Sequence, residues 1–166
     1  KVAGELKKRG YNTLTTIIGG YTEDYKVKLD HVIEKCKLVE DEVQILGQQP
    51  FERICEELQK AHFFVFPSQE KMEGHSNSLT EAMTFGVVPV VSTAGFNASI
   101  VSNEELVVSD INPERYADVI ESIIKRNVWA KYSLNVYKRI KENYTEDIVK
   151  KNILCAVGEL ESRENE

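Results

Sequence analysis

Two short runs limit the fold more than any other feature of the chain. Phe63-Phe64-Val65-Phe66 and Val87-Val88-Pro89-Val90-Val91 are apolar at every position. A strand with one wet face alternates apolar and polar residues. A strand covered on both faces does not, and parallel strands between layers of helices are of that kind. Further β-rich runs fall at Thr13–Ile18, Val43–Leu46 and Leu106–Val108. The segments between them carry apolar residues at helical spacing: Tyr25–Lys37, Phe51–Lys60 and Ser78–Phe85, with a further turn near Asn97–Val101. Three helical patterns close the chain: Pro113–Lys125, Trp129–Asn143 and Glu146–Leu160. Strand and helix in alternation predict an α/β fold, a Rossmann-like doubly wound parallel sheet.

The 166 residues fit one domain, 1–166, with a terminal helix and tail over 145–166. The opening KVAGELKKRG has no capping residue and reads as the back half of a helix that ends before a C′ glycine, Gly10. We expect the chain to be a fragment that lacks the strand before this helix. The formal charge of −6, with four of the acids in the last eight residues, argues against a nucleic-acid partner. No apolar run reaches the roughly 20 residues of a membrane span. Cys36, Cys55 and Cys155 are odd in number and widely spaced, which suits core or half-buried thiols in a reducing cytosol better than a zinc site or disulfides.

Ligands of open parallel sheets bind beyond the C-terminal strand ends. Three segments sit there. Gly19-Gly20 follows TLTTII, and Gly47-Gln48-Gln49-Pro50 follows VQIL. Each of these two reads equally as a plain turn. The third is PSQEKMEGHSNSLTEAM, in which residues 68–77 are too many for the usual connection of about two to six residues and too polar to be buried. Ser78-Leu79-Thr80-Glu81 matches the capping-box pattern, so a helix should start near Asn77 or Ser78 and turn its free N–H groups towards the loop. Such an end attracts phosphate. Glu73 and Glu81 can accept hydrogen bonds from hydroxyls, and the small residues between them leave backbone accessible. A ligand combining hydroxyls with phosphate, such as a nucleotide sugar, fits this stretch. From the local pattern alone, Glu81 reads as well as a cap, Glu73 as a solvated loop acid, His75 as an exposed histidine and Lys71 as a solvated lysine.

Glu73 to Met83, followed by FGVVPVVS, resembles the E-x7-E signature of retaining glycosyltransferases with the two-Rossmann GT-B fold, the large group 1, family four type. TTIIGG, VQILG and AHFFVFPS resemble the strands that precede that signature. The resemblance implies the donor-binding half of such an enzyme, transferring a sugar to a glycan, lipid or other acceptor. It implies that Glu73 is catalytic and binds the donor sugar's hydroxyls, and that Glu81 binds the ribose. Gly74, His75, Ser76, Asn77, Ser78 and Leu79 would hold sugar and diphosphate, Gly19 and Gly20 would lie against the phosphates, and Gln48 would meet the nucleobase. It implies no metal and no other cofactor, since the nucleotide-diphosphate sugar is substrate. The partners implied are that donor and an N-terminal acceptor domain of the same parent chain. The location implied is cytoplasmic, with room for peripheral association of the full-length protein at the inner membrane face.

Two departures stand out. The family's diphosphate-neutralising Arg and Lys belong upstream of this chain, and His75 replaces a large apolar residue. The fragment alone is expected to be inactive. The other readings are a sugar-nucleotide epimerase-like enzyme on the same scaffold, or a non-catalytic α/β interaction module. A receiver-type module would need acids at several strand ends to hold magnesium, whereas these lie in one loop and helix.

Overall fold

A computed structural model describes residues 1–69 and 74–164, with side chains described through Cys155. Five strands alternate with helices: β1 Thr15–Ile18, β2 Val43–Gly47, β3 Phe63–Phe66, β4 Val88–Ser92 and β5 Val107–Val108. The helices are α1 Val2–Lys8, α2 Glu23–Lys35, α3 Phe51–Lys60, α4 Asn77–Thr84, α5 Asn97–Val101, α6 Pro113–Lys125, α7 Trp129–Asn143 and α8 Glu146–Glu164. Every strand pair is parallel. The α/β class and its parallel strands are as the sequence suggests.

The strands divide between two sheets, however, β1-β2 and β3-β4-β5. β1 and β3 are edge strands in these sheets. This revises the reading of the apolar runs. All five residues of β4, flanked by β3 and β5, are buried. The equally apolar β3 is only half-buried along its length, because one of its edges is unpaired and its cover is incomplete. β1 is half-buried throughout as well.

The core lies around β4. On α4, Leu79, Ala82 and Met83 are fully buried, the i, i+3, i+4 stripe of an amphipathic helix. Leu79 and Met83 pack with Val88, Val91, Ile100 and Leu106, and with Tyr132, Val136 and Ile140 of α7. Each such side chain contributes about 1.5–3 kcal/mol by leaving water. A second cluster on the other side of β4 joins Val90 and Val108 to Tyr116, Ala117 and Ile120 of α6 and to Leu6 of α1.

α1 is the joint between the two units. Leu6 enters the second cluster, and Arg9 pairs with Asp118 at 2.8 Å and Glu121 at 3.1 Å on α6. On its other side, Lys7 pairs with Glu42 at 2.7 Å, just before β2. A Cβ on Gly4 would stand 2.9 Å from Cys36 Cβ beyond α2, so only glycine lets the two segments approach this closely. Gly10 takes φ +86° after the helix, the C′ glycine expected from the sequence. The three cysteines are free thiols. Cys155 is exposed rather than half-buried, because it lies on α8, which has few neighbours to cover it.

Candidate functional site

α4 begins at Asn77, as the sequence suggests, but by a different device. Its N-cap is Ser76, and no side chain caps it. The expected capping box is absent because Ser76, not Ser78, holds the N-cap position. Leu79, not Glu81, is then three residues on, and Glu81 lies beyond the first turn. Ser76 is buried, and its Oγ lies 3.2 Å from Ser78 Oγ instead of bonding the helix N–H groups. The first backbone bond of the helix runs from Thr80 N to Ser76 O, at 3.2 Å. The N–H groups of Asn77, Ser78 and Leu79 precede it and have no partner within the helix. An uncapped helix start with three unpaired N–H groups suits an anion.

Core packing aims this end. The Leu79 side chain is fully buried, so that residue offers a ligand its backbone alone. Burial of Leu79 and Met83 turns Asn77, Thr80, Glu81 and Thr84 to the opposite face. The connection entering the loop is fixed too: Ser92 Oγ, at the end of β4, donates to Ser68 O at 2.7 Å. Glu73 lies outside the described residues, as does Lys71.

His75, Asn77 and Glu81 come together on the wall of an open cleft of about 740 Å³ between α4, the end of α7 and α8. Thr80 and Thr84 share that wall, and Ile140, Asn143, Tyr144, Val149, Asn152 and Ile153 form the other. Glu81 is half-buried, while Gly74, His75, Asn77 and Ser78 are exposed. The His75 ring lies 5.2 Å from that of Tyr144, and the Arg139 guanidinium is 5.9 Å from the Tyr144 ring centre. Arg139 is itself held by the Ser99 and Ile100 carbonyls at 2.6 Å, which anchors this stack to α5. The cleft thus sets a carboxylate, hydroxyls and amides against an apolar and aromatic wall, a combination suited to a polyhydroxylated ligand.

Gly19, Gly20 and Gln48 form a second group, at the C-terminal ends of β1 and β2. Gly19 N donates to Gly47 O at 2.9 Å, which draws the two loops together. Gly19 and Gly47 have φ of +143° and +67°, a backbone that favours glycine. A Cβ on Gly20 would lie 4.0 Å from Gln48 Oε1, so these loops abut. The two groups stand at the ends of different sheets.

Sequence reasoning missed Thr80, Thr84 and Tyr144. The two threonines were legible in principle, since they repeat the face of Asn77 and Glu81 at helical spacing. Tyr144 carries no local signal, because it reaches the cleft from the end of another helix. Among the described residues no group of His, Cys, Asp and Glu is placed to hold a metal ion. No described helix is long and apolar enough to cross a membrane.

The family model for glycosyl transferases group 1 matches residues 1–147. The chain belongs to that family. Among solved structures, it resembles the C-terminal domain of the group 1 glycosyltransferase LpcC from Francisella tularensis, with a TM-score of 0.74 and 20% identity over 87% of this chain and 77% of that one. Sucrose-phosphate synthase from Thermosynechococcus elongatus aligns with a TM-score of 0.73 and 20% identity, covering 89% of this chain and 38% of that one. The catalytic domain of cholesterol-α-glucosyltransferase from Helicobacter pylori gives 0.69 and 16%, over 86% and 87% of the two chains. No curated protein matches the chain. These likenesses carry the fold, that of the Rossmann-like half of a GT-B glycosyltransferase.

Proposed function

We propose that this group 1 glycosyltransferase domain binds a nucleotide-diphosphate sugar and forms the donor half of a retaining enzyme. The observation that carries the reading is the uncapped start of α4, with three N–H groups free of intrahelical bonds and Glu81 on the cleft wall just past the first turn. In this reading the N–H groups of Asn77 to Leu79 receive the diphosphate. They stabilise the charge that grows on it as the sugar leaves, and they need no reorganisation to do so. Gly74 to Ser76 leave room for the sugar to reach the backbone. Glu81 accepts from the ribose diol. Glu73 takes the sugar hydroxyls beside the reacting carbon. Gly19 and Gly20 lie against the phosphates, and Gln48 meets the base. Charge stabilisation comes from the helix end and cationic groups, with no metal.

The acceptor site belongs, in this reading, to a further domain of the parent protein, working in the cytoplasm. Orienting two reactants accounts for about 7–11 kcal/mol of a barrier. The 166 residues by themselves should therefore bind donor without transferring its sugar. Calorimetric titration of the chain with UDP, GDP and ADP and their sugars tests the reading. Saturable binding of at least one is expected, and no heat with any of them would overturn it.

A further inference from the structure

Tyr21 is an exposed aromatic residue that no core requires. It follows directly on Gly19-Gly20 at the C-terminal end of β1 and keeps 38% of its surface open. Its ring leans across the neighbouring strand end: a Cβ placed on Gly47 would stand 3.8 Å from Tyr21 Cε1 and 4.0 Å from its hydroxyl. Gly47 at φ +67° keeps that ground free of any side chain. The backbone behind the ring is held, because Thr22 caps α2 by accepting from Tyr25 N at 3.3 Å. Tyr21 is thus an aromatic surface of restricted freedom, resting on one turn and open to solvent.

Beside it lies an amide with nothing to do. Gln49 spends its side-chain N–H on the Leu46 carbonyl. Gln48 is exposed, and its amide has no partner among the described residues. Its Oε1 is turned towards Gly20, the residue before Tyr21, where a Cβ would stand 4.0 Å from it. A planar apolar surface next to a free donor–acceptor pair matches one chemistry well: a flat heteroaromatic ring with polar edges. The same pairing is a poor match to a phosphate, which wants N–H groups or cations, and to a sugar hydroxyl alone.

We infer that Tyr21 is the stacking platform for the nucleobase of the donor, with the Gln48 amide at the base's edge. The inference rests on the donor-binding reading and adds to it a residue that decides base affinity. Stacking on an aromatic side chain is indifferent to which base is presented, so selection among bases falls to Gln48 and the backbone beside it. The tyrosine hydroxyl has no part in stacking.

The test is calorimetry on the 166-residue chain with UDP, GDP, ADP and inorganic pyrophosphate, for wild type, Y21F and Y21L. Y21F should bind the nucleoside diphosphates as wild type does. Y21L keeps a large apolar side chain without the flat ring, which guards against loss of fold, and melting of each variant reports on that directly. Y21L is expected to lose roughly fivefold to a hundredfold in affinity for the nucleoside diphosphate that wild type prefers. Its affinity for pyrophosphate should not change. Equal nucleoside diphosphate affinity in Y21L and wild type would overturn the platform and leave the donor-binding reading standing. Equal losses for pyrophosphate and nucleotide would also overturn it, by making Tyr21 a support of the turn. Absence of nucleoside diphosphate binding by wild type would overturn both.

Discussion

The imidazole of His75 lies 5.2 Å from the phenol ring of Tyr144, tilted at 46° to it. Loop and helix end therefore hold each other at the mouth of the cleft. Aromatic pairs of this kind contribute about 0.5–1.5 kcal/mol beyond their buried area. Tyr144→Ala should cost stability on that scale in urea unfolding. It should also weaken nucleotide-sugar binding several-fold, because the residues before α4 lose their brace. A stability loss with donor affinity unchanged would make the pair a packing contact only.

Glu81 is not a helix cap, and this separates its two candidate roles. Glu81→Ala removes a half-buried carboxylate with no capping bond, so its stability should stay within about 0.5 kcal/mol of wild type. A hydrogen bond to a charged group is worth about 1.5–3 kcal/mol. Nucleoside diphosphate affinity should therefore fall about tenfold or more. A variant that loses stability and keeps its affinity would return Glu81 to a structural part.

Much of the architecture was legible because its signals are local. Thr13–Ile18, Val43–Leu46 and Pro113–Lys125 carry their own period and punctuation, and the strands and helix lie there or within a few residues. The start of α4 was legible for the wrong reason. Ser78-x-x-Glu81 fits a capping box, but burial of Leu79 and Met83 sets the helix phase and leaves the N-cap to Ser76. What could not be read was cover. Phe63–Phe66 is as apolar as Val88–Val91, yet only the latter is fully buried, since burial depends on what pairs with each edge and not on the strand itself. Tyr144 in the cleft is a tertiary fact of the same sort.

Uneven cover has a dynamic consequence. Between Arg9 and Gln69 no residue is fully buried, whereas β4 and its neighbours form the core. Opening free energies follow local burial. In hydrogen exchange, amides of β4 should be the slowest in the molecule, and those of β1 and β2 should exchange well before them. Equal protection of the two sheets would contradict this.

Glu105 ties the element before β5 to α6 and α7. Its Oε2 accepts from the Tyr132 hydroxyl and from Arg126 Nη1, each at 2.6 Å, and both bonds hold the carboxyl below its ordinary value near 4.5. Glu42 is lowered by Lys7 and the Val39 N–H. A depressed folded pKa gives stability that is present above the unfolded value and is lost as pH falls through the folded one. These groups should therefore leave stability flat above about pH 4.5 and lower it progressively below, in acid-unfolding curves. Glu105→Gln should be less stable at neutral pH and show a shallower acid limb. An unchanged acid limb would remove Glu105 from this account.

The central claim is that a nucleotide-diphosphate sugar sits against the start of α4 and the glycine loops of β1 and β2. Backbone amide NMR of the isotopically labelled chain, titrated with UDP-, GDP- and ADP-sugars, tests it most directly. The account expects saturable shifts concentrated at Gly19–Tyr21, Gly47–Gln48 and Gly74–Glu81, with the largest at the N–H groups of Asn77 to Leu79. Shifts absent with every donor, or saturable shifts confined to other surfaces, would contradict it.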